Sequence, residues 1–422
     1  MNEECIISIS HSNYLKKNAG TEKCMREIKK LLANNKIHYL QIFSFEKYSK
    51  LYKLSDMSNK IGINYDDKFL GIFSYNSLLG LIKKIEVQKN VKFIGIHINN
   101  VINHDLKLLK NFLMTIRLPI VVWLHDYSAI CEDSPVLLKE PGESCNNFTK
   151  DKKICCKCKK YRKENKIYQF YKIIDERVDS VIAPSESVKN NILLRYNFWK
   201  NKIYIRSHLK LRKLKKRDKL SDPIKIAFIG GKYLHKGYRE WKILLENFKN
   251  NPMYKFFYLG SSDIKDEKEI NNIFVDVSLQ GENAMKNAVR YNNIDVAFLW
   301  SKCQETYSYT YFEALCGGAR IITYVNAGNI ADRVRVEKSG IVFENIQELI
   351  YLMRNSTKFR DTLENLEDLY YSDYDINNSL DYIVPKGNCD ISRIMTKKER
   401  CYMFLTVIYM MSNWIKRLRD KK

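Results

Sequence analysis

The most informative stretch of the chain is Trp300-Ser-Lys-Cys-Gln-Glu-Thr-Tyr-Ser-Tyr-Thr-Tyr-Phe-Glu-Ala-Leu-Cys-Gly-Gly-Ala-Arg-Ile-Ile-Thr323. An apolar strand ends at Trp300, and Thr306 or Ser308 in the polar loop after it can cap a helix. The helix is expected to end near Cys316, because the Gly-Gly pair that follows is a helix stop signal. A second apolar strand comes next, so the stretch predicts one strand–helix–strand unit.

Two carboxylates have definite places in this unit. Glu305 lies at the carboxyl edge of the first strand, and Glu313 lies more than a turn inside the helix. The backbone N–H groups of Tyr309 and Thr310, at the helix N-terminus, favour an anion in the crevice where open α/β sheets bind ligands. The pattern suits a sugar at one end of a phosphate site and a ribose at the other. An ordinary capped helix with two surface acids stays open as the alternative.

Short apolar runs alternate with helix-period segments along most of the chain, which indicates βαβ units around parallel sheets. We predict an α/β protein with two Rossmann-like domains that face a cleft, at residues 1–208 and 223–385. Residues 209–222 form a basic linker, predicted to be solvated, with a phosphate or lipid-headgroup contact as the alternative. Residues 386–422 form a C-terminal helical segment. The predicted strands are Ile6–Ile9, Tyr39–Phe43, Phe93–Ile98, Ile120–Leu124, Ser180–Ala183, Ile224–Ile229, Phe256–Leu259, Phe274–Val277, Val296–Leu299 and Ile321–Val325.

A glycine loop, Gly230-Gly-Lys-Tyr-Leu-His-Lys-Gly237, joins a predicted strand to a helix predicted over Tyr238–Phe248. Its glycines allow the backbone to approach a phosphate, and Lys236 can neutralise that charge. The spacing fits neither a Walker A loop nor the dinucleotide-binding Gly-x-Gly-x-x-Gly pattern. A plain strand–helix turn therefore stays open.

The composition describes a basic chain of 422 residues, with 72 Lys and Arg against 48 Asp and Glu, a net charge of +24. This charge suits an anionic partner such as a membrane, a nucleic acid or an acidic substrate. Low Gly (16) and Pro (7) counts indicate a coding bias that itself enriches lysine. Because no apolar run of 18 residues and no signal-peptide pattern is present, we expect a cytoplasmic protein.

Five of the eleven cysteines fall in a Cys-rich insertion over residues 131–158. Cys155-x-x-Cys158 has the spacing of a zinc knuckle, and Cys131 and Cys145 can complete a four-thiolate structural zinc site. Free thiols are an equal alternative, and a disulfide is a third. A basic zinc-knuckle protein would bind nucleic acid, but no recognisable RNA module supports this, so we do not expect a nucleic-acid partner.

The C-terminal apolar segment, Cys401–Met411, is followed by the basic run Lys416-Arg-Leu-Arg419. It is too short to span a bilayer. Burial as a packed helix is one interpretation. A membrane-surface helix with Trp414 as an interfacial anchor is the other.

The residues around Glu305 and Lys236 together resemble retaining glycosyltransferases of the GT-B fold, in particular glycosyltransferase family 4. Glu305 and Glu313 match the family's Glu-x7-Glu pattern, including the Ala-Leu-x-Gly-Gly that follows. The loop Gly230–Gly237 is similar to the family's phosphate loop, although Gly231 stands where many members have Arg. The resemblance covers roughly residues 5 to 350, and its other similar stretches are Asn18–Glu22, His125–Tyr127, Ala183–Ser185 and Ala327–Asp332.

The resemblance implies transfer of a sugar from a nucleotide-diphosphate sugar to a glycan or lipid-linked acceptor, with retention of anomeric configuration and no catalytic metal. Glu313 would bind the ribose hydroxyls and Glu305 the donor sugar. Lys236 would stabilise the negative charge that develops on the leaving diphosphate. The backbone amides that would assist it belong to Gly230, Gly231, Tyr309 and Thr310.

The acceptor side is assigned by the resemblance to the N-terminal domain, where Gly20, His125 and Asp126 would line the cleft. His125 is counted with Glu305 and Lys236 among the catalytic residues. A zinc ion in the insertion would hold a long loop in place near the acceptor and would take no part in catalysis. The basic linker and C-terminal helix also suggest peripheral contact with an anionic membrane, where lipid-linked acceptors lie.

Two further alternatives follow from departures from the family pattern. A catalytically inactive GT-B scaffold stays open because Gly231 removes a charge. A metal-dependent transferase of the GT-A type would need an Asp-x-Asp at a strand edge, and we noted one candidate, Asp373-Tyr-Asp375, which we expect in a solvated turn.

Overall fold

A computed structural model of the chain describes residues 2–17, 19–45, 59–140, 142–158, 166–261, 270–366, 369–385 and 401–419, the last with side chains to residue 411. The predicted α/β class is confirmed, since each half of the chain contains a mainly parallel sheet with helices on both faces. Asn18 and residues 386–400, which belong to predicted segments, lie outside the described residues, as does the side chain of Trp414. No helix within the described ranges is long and apolar enough to cross a membrane.

The N-terminal half contains the strands β1 (Glu3–Ser10), β2 (Ile37–Ser44), β3 (Lys60–Tyr65), β4 (Lys68–Ser74), β5 (Val91–Ile98), β6 (Ile120–Trp123), β7 (Leu138–Glu140), β8 (Glu143–Ser144), β9 (Val178–Ala183) and β10 (Ile203–Ile205). Its helices are α1 (Gly20–Asn34), α2 (Tyr75–Lys89), α3 (Leu106–Ile116), α4 (Lys152–Cys155), α5 (Lys166–Ile174) and α6 (Glu186–Leu193). Eight strands form one sheet in the order β10-β9-β6-β5-β1-β2-β3-β4, which is parallel except where β3 pairs with β2 and β4.

The two-sided core of this domain follows from the alternation of side chains along its strands. Ile7 and Ile9 of β1 pack on the face covered by α2, α3 and α5, whereas Ile6 packs on the face covered by α1. The apolar positions of α1 recur at helical spacing, and all of them are buried on this face. They are Met25, Ile28, Leu31 and Leu32.

The C-terminal half contains the strands β11 (Leu209–Lys216), β12 (Ile224–Ile229), β13 (Tyr254–Gly260), β14 (Asn271–Phe274), β15 (Val296–Leu299), β16 (Arg320–Tyr324), β17 (Gly340–Phe343) and β18 (Leu369–Ile376). Its helices are α7 (Tyr238–Phe248), α8 (Val277–Gln280), α9 (Ala284–Tyr291), α10 (Tyr309–Gly317), α11 (Asn329–Glu337), α12 (Ile346–Arg354), α13 (Ser356–Glu364) and α14 (Met403–Arg419). Six strands form a parallel sheet in the order β14-β13-β12-β15-β16-β17.

One predicted strand is misplaced. The prediction over Phe274–Val277 is wrong beyond its first residue, because β14 ends at Phe274 and α8 begins at Val277. The Asp276 carboxylate accepts a hydrogen bond from the Ser278 N–H at 2.8 Å and caps this short helix. A helix cap therefore interrupts the apolar run.

The stretch predicted as a solvated basic linker contains the strand β11, which pairs antiparallel with β18. Asp373 and Asp375, expected in a turn, lie in β18. Across the ribbon, Asp375 pairs with Arg212 and Asp373 with Lys213, while Asp373 also contacts the Lys286 ammonium of α9 at 2.9 Å. Opposite charges that face each other across the two strands stabilise their pairing. This pairing could not be predicted from the β11 sequence alone, because the acidic residues belong to β18.

The chain returns to the N-terminal domain after β18. His97 Nε2 lies 2.6 Å from the Ile383 carbonyl oxygen, and the rings of Tyr204 and Tyr382 stack with centroids 3.7 Å apart. Farther on, α14 packs against the β4 edge, with Leu405 and Tyr409 buried. One face of this helix is therefore packed against the N-terminal domain.

Candidate active site

Lys236 and Glu305 meet at the carboxyl edge of the C-terminal sheet. They follow β12 and β15, which are adjacent parallel strands, so their loops emerge side by side. The Lys236 ammonium donates to Glu305 Oε1 at 2.5 Å, and the Ser301 hydroxyl donates to the same oxygen at 2.8 Å. Two residues predicted from separate motifs are thus in direct contact.

This pair stays charged at neutral pH. Burial favours the neutral form of each group, but the attraction between them is stronger. The pKa of Glu305 is therefore lowered by Lys236 despite burial, and the pKa of Lys236 is raised by Glu305 despite burial. The edge of the sheet consequently presents an ammonium and a carboxylate that are both ionised.

Two glycines allow the close approaches that place this pair. Gly237 has φ +83°, and a Cβ there would lie 2.2 Å from the Trp300 carbonyl oxygen. Gly328 has φ +61°, and a Cβ there would lie 2.6 Å from the Glu305 backbone nitrogen. Gly230, by contrast, faces open space, since nothing lies within 4 Å of the Cβ it lacks. The loop therefore leaves room for a ligand beside Lys236.

The helix α10 begins as predicted, with Ser308 as its cap. The Ser308 hydroxyl accepts from the Tyr311 N–H at 3.3 Å, and Tyr309 and Thr310 are the first two helical residues. Their N–H groups are among the four that an α-helix leaves without internal acceptors. This helix end therefore offers donors and a partial positive charge to an anion.

Glu313 is buried on α10 and faces the N-terminal domain. The Lys23 ammonium of α1 lies 3.2 Å from Glu313 Oε1. One turn away, the Tyr309 hydroxyl donates to Glu27 Oε2 at 2.6 Å. Lys23 and Glu27 were missed by the sequence analysis, since nothing along α1 marks the residues that face the other domain.

His125 lies opposite the Glu305 loop. Its backbone oxygen accepts from the Thr306 hydroxyl at 2.7 Å, and its Nε2 lies 2.8 Å from the Asn99 amide oxygen. Its ring stacks on Trp123, with 5° between the planes. Burial, followed by the nearby His11 and His97, lowers the pKa of His125 to about 3. His125 is consequently a neutral imidazole at physiological pH.

The other residues predicted for the acceptor side have different surroundings. Asp126 accepts from the Asn100 amide at 3.0 Å and from the Ser128 N–H at 2.8 Å, and burial raises its pKa. Gly20 is the first residue of α1, and nothing lies within 4 Å of the Cβ it lacks. Asp126 therefore braces the loop after β6, whereas Gly20 leaves open space.

The predicted zinc cysteines line a single cavity of about 430 Å³. The Lys150 ammonium contacts Cys131 Sγ at 3.0 Å, and the Asn147 amide contacts Cys155 Sγ at 3.3 Å. The cysteines in the described part of the chain are all free thiols, so the disulfide alternative is wrong for them. The same insertion contacts the C-terminal domain, where the Ser144 hydroxyl donates to the Lys302 carbonyl oxygen.

The sulfur atoms of these four cysteines do not lie close enough together to form a metal site as placed. Within the described ranges, a single group of three Cys, His or acidic side chains has its ligand atoms within 4.8 Å of one another. This group consists of Cys24, His125 and His208. The sequence analysis did not connect these three residues, because they are far apart in the chain.

Two Rossmann-like domains that face a cleft define the GT-B fold. Among solved structures, the chain is similar to HepE of Anabaena in complex with UDP-glucose (12% identity, 86% of this chain and 93% of that chain, TM-score 0.50). It is also similar to a glycosyltransferase from Rickettsia africae ESF-5 (13% identity, 87% and 90%, TM-score 0.53) and to the lipopolysaccharide outer core galactosyltransferase WaaB (12% identity, 86% and 96%, TM-score 0.50). No protein-family model and no curated protein sequence matches the chain. The predicted GT-B fold is confirmed.

Proposed function

We propose that this protein is a glycosyltransferase of the family 4 type. It transfers a hexose from a nucleoside-diphosphate sugar to a glycan or lipid-linked acceptor, in the cytoplasm and as a step of polysaccharide biosynthesis. It retains anomeric configuration and uses no catalytic metal. The observation that supports this most is the ionised contact between Lys236 and Glu305 at the sheet edge. The fold shared with HepE, which was solved with UDP-glucose, agrees with it.

In this proposal the C-terminal domain stabilises the leaving group. As the bond between the anomeric carbon and the diphosphate oxygen breaks, its electron pair remains on the diphosphate. Lys236, the α10 N-terminus at Tyr309 and Thr310, and the amides of Gly230 and Gly231 stabilise that charge. Because Gly231 brings no side chain, Lys236 is the principal cation there. The acceptor hydroxyl attacks the anomeric carbon from the same face of the sugar, and its proton passes to the leaving diphosphate oxygen.

The carboxylates orient the donor. Glu305 keeps its hydrogen bond from Ser301 and accepts hydrogen bonds from the donor sugar hydroxyls. Glu313 accepts hydrogen bonds from the ribose once Lys23 has moved away. Neutral His125 binds a sugar hydroxyl from the opposite wall, and Gly20 and Asp126 shape the acceptor side.

A thermal-shift series with nucleoside diphosphates and nucleotide sugars tests the donor site. At a 100-fold excess over Kd, a ligand of the folded state adds about 2.7 kcal/mol of stability. We expect one UDP, GDP or ADP compound to stabilise the wild type and to have no effect on Glu313→Ala or Lys236→Ala. The matched controls Glu246→Ala and Lys219→Ala change exposed residues and should respond like the wild type. If no nucleotide stabilises the wild type, the transferase proposal fails and the inactive-scaffold alternative replaces it.

We propose also that Cys131, Cys145, Cys155 and Cys158 hold a structural zinc ion. The support is that all four line one cavity of an insertion that contacts both domains. As placed, the thiols do not fit a tetrahedral site, in which sulfur atoms lie about 3.8 Å apart, so the loop must contract on binding. Zinc content measured on wild type and Cys158→Ser tests this, and equal content in both would contradict it.

The C-terminal helix supports peripheral contact with an anionic membrane. Its buried residues Leu405 and Tyr409 fix it to the N-terminal domain, so its opposite face is presented outward. That outward face is apolar, with Phe404 72% exposed, and a basic run follows it in the sequence. Its exposed apolar residues are Met403, Phe404, Val407, Met410 and Met411. An apolar face followed by cations is typical of interfacial helices.

Flotation with anionic liposomes tests this contact without truncating the chain. We expect Phe404→Asp/Met411→Asp to lose most of the liposome-bound fraction. The matched control Val336→Asp/Tyr351→Asp introduces the same charges at equally exposed apolar residues of the other domain. If both double variants float like the wild type, α14 is not the membrane contact.

A further inference from the structure

We infer that Cys24, His125 and His208 form a binding site for a thiophilic divalent cation of the Zn²⁺ type, at the junction of the two domains. Cys24 belongs to α1, His125 follows β6, and His208 lies between β10 and β11, where the chain leaves the N-terminal domain. Their ligand atoms lie within 4.8 Å of one another. The site is separate from the four-cysteine cavity of the insertion.

One edge of this group already has the length found in a tetrahedral zinc site. Cys24 Sγ lies 3.4 Å from His208 Nδ1. Zinc bonds of about 2.3 Å to sulfur and about 2.0 Å to nitrogen place these atoms roughly 3.5 Å apart in a tetrahedron. The edge between Cys24 and His208 therefore has the required length already, and the ligand atom of His125 lies within 4.8 Å of both.

The surroundings prepare the two histidines to act as ligands, whereas burial raises the pKa of the Cys24 thiol well above its usual value. The contact of His125 Nε2 with the Asn99 amide oxygen places the ring proton on Nε2 and leaves Nδ1 with a free lone pair, as in many metal-bound histidines. Burial keeps His208 neutral as well, since its pKa lies well below the usual value. The Cys24 thiol loses its proton to solvent when the cation binds, and the new metal–sulfur bond replaces the S–H bond.

The chemistry of the set selects the class of cation. One thiol and two imidazoles suit zinc and its neighbours among the transition metals, whereas Mg²⁺ and Ca²⁺ require oxygen ligands that this set lacks. Three protein ligands leave a fourth position for water or a ligand. Cys24 and His208 are buried and His125 is only half-buried, so the open position faces the His125 side, toward the cleft.

Occupation of this site would withdraw His125 from the sugar. This consequence, unlike the binding itself, rests on the proposed transferase function. A cation on His125 Nδ1 holds the imidazole against Cys24 and His208, so a sugar hydroxyl can no longer bind there. The site would then inhibit the enzyme reversibly when thiophilic metal is available.

Cobalt binding by the full-length protein tests the site itself. Four-coordinate Co²⁺ absorbs in the visible region, and each thiolate ligand adds a charge-transfer band. We expect Cys24→Ser and, independently, His208→Gln to bind one Co²⁺ equivalent fewer than the wild type. Cys401→Ser, a thiol on the far edge of the N-terminal sheet, should bind as the wild type does. Equal cobalt stoichiometry in all four proteins would overturn the inference.

A second measurement separates this inference from the transferase proposal. Zinc should inhibit sugar transfer by the wild type and Cys401→Ser at concentrations at least tenfold lower than those that inhibit Cys24→Ser. Equal inhibition of all three would overturn the regulatory consequence. If no nucleotide binds but cobalt binding still depends on Cys24 and His208, the metal site stands and the transferase proposal alone fails.

Discussion

The Lys23 ammonium of α1 lies 3.2 Å from the Glu313 carboxylate of α10, across the cleft between the two domains. Lys23 also lies over the Tyr309 ring, 4.1 Å from its centroid. Both side chains of the ion pair are mostly buried, so solvent screens the pair only partly. The residue proposed to bind ribose is thus already occupied by a cation of the opposite domain. Donor binding must break this pair.

Removal of Lys23 should strengthen nucleotide binding. A partly buried ion pair is worth about 1 kcal/mol, so Lys23→Ala should lower the nucleotide Kd roughly fivefold, as measured by isothermal titration calorimetry. Lys29→Ala on the same helix, whose partner is Asp67, is the matched control and should leave Kd unchanged. Weaker binding by Lys23→Ala would mean that Lys23 contacts the nucleotide directly.

The Lys236–Glu305 contact should make the effects of substituting the two residues on the free energy of unfolding non-additive. Lys236→Met leaves a buried carboxylate unpaired, and Glu305→Gln keeps a hydrogen-bond acceptor without charge. Because Lys236 is partly exposed, we expect a coupling of about 1 kcal/mol in a double-mutant cycle of chemical denaturation. Additive effects of the two substitutions would show that the pair contributes nothing to folding.

Glu27 should make the stability of the protein depend on pH. Burial raises its pKa from 4.5 to about 7, although the Tyr309 hydroxyl and Lys23 oppose this rise. The folded state therefore binds more protons than the unfolded state between these values, and stability falls as pH rises through this window. The loss amounts to about 3 kcal/mol when complete.

Glu27→Gln should remove that loss, because glutamine does not titrate and still accepts from Tyr309. Denaturation at pH 5 and pH 8 measures the difference between variant and wild type. We expect the variant to gain stability relative to the wild type at the higher pH, and Glu246→Gln, an exposed control, to show no such gain. A difference that does not change with pH would argue against the raised pKa.

Gly237 should be among the least replaceable residues of the cleft. In Gly237→Ala the methyl group meets the Trp300 carbonyl oxygen, and the residue must also keep a positive φ. We expect a loss of about 3 kcal/mol. Gly318 is also left-handed, with φ +105°, and a Cβ there would meet nothing closer than 3.7 Å, so Gly318→Ala isolates the backbone cost at about 1 kcal/mol. Equal losses in thermal unfolding would show that the close approach to Trp300 is relieved at no cost.

Most strands and the motifs around Lys236 and Glu305 were predictable because they depend on local patterns. Apolar runs such as Ile224–Ile229 are buried on both faces of a parallel sheet, so the sequence alone marks them. Ser308 and the Gly-Gly pair mark the ends of α10 by capping chemistry within a few residues. Lys236 and Glu305 follow neighbouring strands of a parallel sheet, so their proximity followed once both loops were placed.

Features that depend on distant partners were not predictable. The sequence of β11 resembles a charged linker, because the acidic residues that balance its charges belong to β18, more than 150 residues later in the chain. The strand predicted over Phe274–Val277 was too long, because Asp276 caps the helix α8 and does not continue the strand. The disulfide alternative could be settled only by the distances between thiols.

Local chemistry thus determined the two α/β halves, the glycine turns and the loops that carry Lys236 and Glu305, since strand burial, helix caps and positive-φ turns depend on neighbours in the chain. The tertiary structure fixed which side chains face one another across the cleft. Lys23 reaches Glu313, and Cys24 reaches His208, only because α1 of the N-terminal domain packs against α10 and against the segment that joins the two domains. Such contacts join residues far apart in the sequence, and no local pattern encodes the distance between them.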